Sequence, residues 1–188
     1  MAFVKDLTVC YDKNTVLENF SADFPDGEVT AIFGRSGCGK TTLLSVLLGL
    51  LRPVSGTAEG FTSPSAVFQE DRLLPFLTAV KNITVTAGCT AEAAEIALKQ
   101  LGFDAEDNEK SAAELSGGMA RRVAIARAML TESDAVILDE PFKGLDDSTR
   151  RQVLNFVNET RRGRTMVVVT HDPRDAEDLG AVHHIQMG

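Results

Sequence analysis

The sequence predicts an α/β fold: a mainly parallel sheet covered by helices, an antiparallel β section at the N-terminus and an inserted α-helical section. Three observations lead there. The runs Ala31-Ile32-Phe33, Ala135-Val136-Ile137-Leu138 and Met166-Val167-Val168-Val169 lack polar alternation, so they read as strands buried on both faces, as in a parallel sheet between helix layers. Residues 3–11 and 16–24 alternate apolar with polar side chains, which predicts antiparallel strands with one wet face. The stretch from about 77 to 130 carries no deep β signal and reads as mainly helical. With 188 residues and 44% hydrophobic content, the chain can bury a sizeable core but is short for two full domains.

The elements follow in order. The first two strands are joined by a turn at Asp12-Lys13-Asn14, and Pro25-Asp26-Gly27 makes the turn before a β-branched strand at 28–33. Residues 40–51 are leucine-rich and free of proline until Pro53, which predicts a helix. Arg52-Pro53-Val54-Ser55-Gly56 reads as a loop and Ala66-Val67-Phe68 as a short strand. Within the helical stretch, 91–101 is one segment, 104–109 an acidic connection and 120–130 an amphipathic helix. The final third alternates strand and helix: 135–138, 148–160, 165–169, 173–179 and 183–185. We therefore expect one domain over 1–188, with 1–69 and 131–188 forming the core and β section, and about 70–130 forming the helical insert.

Composition narrows the partners. The formal net charge of −8 disfavours nucleic acid, because no lysine- and arginine-rich stripe offsets it; Arg121-Arg122 and Arg161-Arg162 read as solvated helix faces. No apolar run approaches the roughly 18 residues that cross a bilayer. The start, Met1-Ala2-Phe3-Val4-Lys5-Asp6, lacks the basic and apolar regions of a signal peptide, so residence in the cytosol is expected. Cys10, Cys38 and Cys89 are few and far apart, which fits reduced thiols rather than a disulfide framework or a zinc site.

The strongest chemical signal is Gly34-Arg35-Ser36-Gly37-Cys38-Gly39-Lys40-Thr41-Thr42, which fits G-x-x-x-x-G-K-[ST] between an apolar strand and a helix. Glycines there let successive backbone N–H groups point into one concavity, and the positive end of the following helix adds to the field on an anion. Lys40 is placed to reach the β- and γ-phosphates of a nucleotide, Thr41 to ligate Mg²⁺, and Thr42 to bond a phosphate oxygen.

Chemistry in parallel sheets collects at the carboxyl ends of strands. Gly34, Gln69, Asp139-Glu140 and Thr170-His171 stand at those ends. Asp139 reads as the metal-side carboxylate and Glu140 as the general base for an attacking water; alone, the pair equally fits a capping acidic pair before Pro141. Gln69 is placed to bridge metal and water, or is a surface glutamine. His171 is placed to donate to the γ-phosphate, or is structural. Leu115-Ser116-Gly117-Gly118-Met119 gives a second glycine-rich helix start with a hydroxyl, suited either to an anion or to a simple serine N-cap.

With these residues in place, the chain resembles the ATP-binding cassette (ABC) ATPase family over nearly its whole length. Residues 34–42 match its Walker A loop, Gln69 its Q-loop, 115–119 its signature, 135–140 its Walker B strand, Gly144-Leu145-Asp146 its D-loop and His171 its switch histidine. The resemblance implies a P-loop NTPase core with ATP and Mg²⁺ as cofactors. ATP would be held by Tyr11, an aromatic stacking on adenine unless it packs a strand, and by Gly34, Arg35, Ser36, Gly37, Cys38, Gly39, Lys40, Thr41 and Thr42. Leu115, Ser116, Gly117, Gly118 and Asp146 would complete the site from a second protomer. Thr41, Gln69 and Asp139 are the implied metal residues; Glu140, His171 and Gln69 are the implied catalytic ones.

The same resemblance implies a head-to-tail homodimer, or a pair with a related ATPase subunit. It also implies a transmembrane permease, indirectly a substrate-binding protein, and a cytoplasmic location on the inner face of the cell membrane. Phe68-Gln69-Glu70-Asp71-Arg72-Leu73-Leu74-Pro75 looks like the Q-loop of nitrate, sulfonate, taurine and thiamine-precursor importers. Met119 departs from the usual glutamine of the signature while Ser116 and both glycines remain. Two other classes are weighed against an importer subunit. A soluble ABC ATPase of ribosomes or DNA usually carries a second cassette or a coiled coil, and a switch without turnover is disfavoured by Glu140.

Overall fold

The N-terminal alternation forms β1 (Ala2–Tyr11) and β2 (Asn14–Phe24), which pair antiparallel and bury Val4, Leu7, Val9, Leu17 and Phe24. The computed structural model describes residues 1–12 and 14–188, so the expected turn at Asp12-Lys13-Asn14 includes Lys13, which lies outside the described residues. Next come β3 (Val29–Gly34) and α1 (Lys40–Leu47). The helix is four residues shorter than expected: Gly49 turns the chain at φ 68°, and the N–H groups of Leu50 and Leu51 both bond the Ser45 carbonyl, at 2.9 and 3.1 Å. The expected loop at 52–56 gives way to β4 (Ser55–Glu59), which pairs with β1 and completes a sheet of order β2-β1-β4.

A second sheet is built from β3 with β5 (Ser65–Val67), β6 (Ala135–Asp139), β7 (Thr165–Val169) and β8 (His183–Met187), in the order β5-β6-β7-β3-β8. β6, β7, β3 and β8 run parallel, as the apolar runs predict. Every residue of β6 and β7 is buried. Leu43, Leu44 and Leu47 of α1 share one apolar cluster with Leu7 and Phe24 of the first sheet and Ile137, Val167 and Val169 of the second. Each such side chain, fully buried, stabilises the fold by about 1.5–3 kcal/mol relative to exposure.

By its contacts the chain divides into two units, the first Met1–Ala66, Ser133–Glu140 and Gly163–Gly188, the second Val67–Glu132 and Pro141–Arg162. The second unit is helical: α2 (Ala79–Ala87), α3 (Ala91–Gln100), α4 (Ala105–Glu109), α5 (Gly117–Leu130) and α6 (Asp147–Thr160). α4 replaces the expected acidic connection, because Asp104 and Asp107 form a reciprocal capping box at its start. α5 packs on α2, α3 and α6, and is buried nearly all round rather than on one face, with Ala124, Ala126 and Ala128 letting its neighbours approach. The last helix, α7 (Pro173–Asp178), belongs to the first unit. Among the described residues, no helix is long and apolar enough to cross a membrane.

One buried amide organises the segment before α2. Asn82 is fully buried; its Oδ1 accepts from the Leu74 N–H at 2.7 Å, and its Nδ2 donates to the carbonyls of Leu74, Leu77 and Thr78 at 3.0–3.1 Å. Asn82→Leu removes these bonds; the carbonyls keep the N–H groups of Leu77, Ala112 and residue 82, so the group left stranded is the Leu74 N–H, at about 1–3 kcal/mol. Chemical denaturation should show a loss of about 1–3 kcal/mol. A loss under ~0.5 kcal/mol would mean that water replaces the amide.

Candidate functional site

The glycine-rich loop leaves β3, an interior strand of the parallel sheet between β7 and β8, at Gly34 and enters α1 at Lys40. Gly34 is required by a close approach: a Cβ there would lie 2.4 Å from the Met187 carbonyl oxygen of the neighbouring β8. Gly39 combines φ 99° with a Cβ position only 2.8 Å from Leu17 Cδ2, so any side chain would be strained and would push the loop off β2. Gly39 also stands at the N-cap of α1 without a side-chain cap, and the first turn carries no acidic residue. The N–H groups of that turn and the helix dipole therefore favour an anion.

Lys40 lies folded across this loop. It is 8% exposed, and its Nζ donates to the carbonyls of Gly34 at 2.8 Å and Arg35 at 2.9 Å. Cys38 Sγ is 3.9 Å from the same ammonium. Arg35, Ser36 and Gly37 are exposed along the loop rim, whereas Thr42 is half-buried on α1. Tyr11 ends β1, is 48% exposed and pairs in register with Asn14, at the end of the β1–β2 pair whose Val16 and Leu17 touch Gly39.

At the carboxyl end of β6 the two acids diverge. Asp139 is buried and its Oδ2 accepts from the Thr41 hydroxyl at 3.0 Å, which joins the first turn of α1 to the end of β6. Glu140 adopts φ 51°, a left-handed conformation that turns its side chain away from the strand; its N–H bonds the Val169 carbonyl at 2.9 Å. Its Oε1 lies 2.8 Å from His171 Nε2, with the Glu140 side chain mostly buried and that of His171 half exposed. The turn carrying His171 is held by Thr170, whose hydroxyl donates to the Asp175 carboxylate at 2.6 Å.

The donor set fits Mg²⁺. Among the described residues no group of three or more His, Cys, Asp or Glu side chains gathers into an all-protein cage. Thr41 and Asp139 instead bring one hydroxyl and one carboxylate together. That matches an ion that keeps waters and phosphate oxygens in most of its octahedron.

Six further predicted positions lie in the second unit. Ser116 is the N-cap of α5, its Oγ accepting from the Met119 N–H at 3.3 Å. Gly117 and Gly118 form the first turn of that helix, with Leu115 just before it. Asp146 caps α6: its carboxylate accepts from the N–H groups of Ser148 and Thr149 and from both hydroxyls, which holds it well below the usual carboxylate range. Gln69 follows β5 with an exposed side chain, while its carbonyl is bound by Arg121.

The arginines of α5 correct the sequence reading. Arg121 is buried, not solvated, and Arg122 is half-buried, donating to the Leu101 carbonyl at 2.5 Å. Most of their partners, the carbonyls of Phe68, Gln69 and Leu101 and the Asp71 carboxylate, are far along the chain, so no local charge pattern marks them.

The family model described as ABC transporter matches residues 17–143. The aliphatic sulfonates import ATP-binding protein SsuB 1 of Rhizobium johnstonii is 41% identical over 182 residues, with 88% of this chain and 66% of that protein covered. The corresponding SsuB of Bacillus subtilis is 39% identical over 181 residues, with 89% and 71% covered. The chain thus spans about two thirds of the length of these curated relatives. A dimeric structure of a bacterial ABC transporter cassette superposes with TM-score 0.88 at 26% identity, covering 100% of this chain and 94% of that one. The dimeric post-hydrolysis state of the same cassette, bound to ADP and Pi, gives TM-score 0.87.

Proposed function

Because the chain belongs to the ABC transporter family, we propose that it is the ATP-binding and ATP-hydrolysing subunit of an importer, coupling ATP-driven dimerisation to movement of a permease. The observation that carries this reading is the meeting of Lys40, Thr41–Asp139 and Glu140–His171 at the carboxyl edge of one parallel sheet. The N–H groups of residues 37–42 and the Lys40 ammonium bind the phosphates, and Tyr11 stacks on the adenine. Thr41 and Asp139 would hold Mg²⁺, with the Gln69 amide as its further expected ligand, and the ion when bound would neutralise charge on the β- and γ-phosphate oxygens. Glu140 takes the proton of the attacking water, and Gln69 orients that water. His171 donates to the γ-phosphate, its ring fixed by the Glu140 carboxylate.

Ser116, Gly117 and Gly118 of one protomer act on the γ-phosphate held by the other, with Asp146 holding the D-loop by capping α6. One domain over 1–188, its helical insert at about 70–130, contains both halves of this composite. The relatives' names support aliphatic sulfonates or similar small anions as cargo, selected by the permease and a substrate-binding protein rather than by the cassette. Leu74, 45% exposed, and Phe76, 92% exposed, supply the permease contact, placing the subunit at the cytoplasmic face of the membrane.

Complementation tests the composite site. Lys40→Ala and Ser116→Ala chains should each hydrolyse ATP near background. A mixed dimer retains one intact site, so mixing them should restore up to roughly a quarter of wild-type turnover under random pairing. Mixed dimers that form but stay inactive would rule out the shared site.

A further inference from the structure

Arg121 sits in the second turn of α5, the helix capped by Ser116, and is 8% exposed. Its Nη1 donates to the Phe68 carbonyl at 2.6 Å and its Nη2 to the Gln69 carbonyl at 2.5 Å, while its Nε lies 3.0 Å from the Asp71 carboxylate. Further along α5, Arg127 donates to the carbonyls of Asp71 and Arg72 at 2.8 and 2.9 Å. Arg72 in turn lies over the Phe68 ring, 3.8 Å from its centre. Residues 68–72 are irregular backbone, and α5 holds four of their carbonyls.

A buried ion pair is a poor choice for stability alone, since apolar groups of the same volume do as well or better. Its value lies in fixing geometry. The planar guanidinium presents donors in a rigid fork, which suits two successive carbonyls and a carboxylate at once; a lysine ammonium does not reproduce it. Burial pushes the Asp71 carboxyl up, against the pull of Arg121 and Arg127, and the side chains of Arg121 and Asp71, 9% and 22% exposed, lie inside the unit rather than at its surface.

We propose that Arg121, paired with Asp71, is a positioning residue that ties Gln69 to the helix beginning at Ser116-Gly117-Gly118, so that the water-orienting amide and the γ-phosphate-binding turn move as one body. The proposal rests on the roles assigned above to Gln69 and Ser116. Arg121 itself touches neither nucleotide nor water, and it acts through the main chain of Gln69.

The test is a double-mutant cycle on steady-state ATP hydrolysis by the full chain, with ATP affinity and thermal stability measured alongside. Arg121→Ala should lower kcat about tenfold and leave KM and the Kd for ATP within about twofold. In a Gln69→Ala background, the same change should cost less than about twofold, because the residue it acts through is gone. Arg121→Gln keeps an amide donor and should recover part of kcat; it also carries the cycle if Arg121→Ala does not fold. Equal losses in both backgrounds, or a loss confined to KM, would overturn the clamp. Full turnover in Arg121→Ala beside an impaired Gln69→Ala would also overturn it while leaving the Gln69 role intact. Full turnover in Gln69→Ala alone would remove that role and the clamp with it.

Discussion

Glu140→Gln should lower the rate of ATP hydrolysis by about 10²–10⁴-fold while ATP binds as before, the range expected when a positioned general base is lost. The substitution is nearly isosteric, and glutamine meets the same backbone demand at φ 51° as glutamate does. The amide also keeps a polar atom near His171 Nε2, 2.8 Å from the present carboxylate oxygen. What disappears is basicity: an amide oxygen cannot take the proton of the attacking water at neutral pH. Binding groups on the loop, Lys40 and Thr41 above all, are untouched, so Kd for ATP should stay within about threefold. Since hydrolysis is what opens the proposed sandwich, ATP-bound dimers should accumulate, visible by size-exclusion chromatography with ATP present. Turnover within about twofold of wild type would take Glu140 out of the base role.

The core of this site is legible in the sequence because its chemistry needs particular residues at fixed spacing. Gly34 and Gly39 are demanded by close packing and Lys40 by the proposed phosphate contact, and β3, β6 and β7 announce themselves by being apolar on both faces. β4 is not legible. Ser55-Gly56-Thr57-Ala58-Glu59 has no apolar rhythm, and it is a strand only because β1 offers it an edge, with Val4 opposite Ala58. α4 was legible in principle, through the spacing of Asp104 and Asp107. Asn82 and Arg121 were not. A polar side chain buried to satisfy main-chain carbonyls of an irregular segment leaves no trace in periodicity, because its partners are set by tertiary packing.

Lys40→Ala should weaken ATP binding by about 10²–10³-fold, and the structure separates two contributions to that loss. In the first, the ammonium no longer donates to the carbonyls of Gly34 and Arg35, so the loop loses an internal brace. Arg35 is exposed and Gly34 half-buried, so water can replace much of this, and the cost should be about 1 kcal/mol. In the second, a buried cation beside the phosphates is gone; charge-assisted bonds of this kind contribute about 1.5–3 kcal/mol each. Two of them, to the β- and γ-phosphates, amount to about 2–3 kcal/mol once partial compensation by the loop N–H groups is allowed, and this second effect dominates. The two are distinguishable: a brace shows as a lower melting temperature without ATP, a phosphate contact as lost affinity with the melting temperature nearly kept. Lys40→Met keeps the length and apolar stem of the side chain and should bind ATP as poorly as Lys40→Ala, since the charge, not the packing, is what the phosphates meet. Wild-type affinity in either variant, measured by titration calorimetry, would mean that the loop N–H groups and the helix terminus suffice without the ammonium.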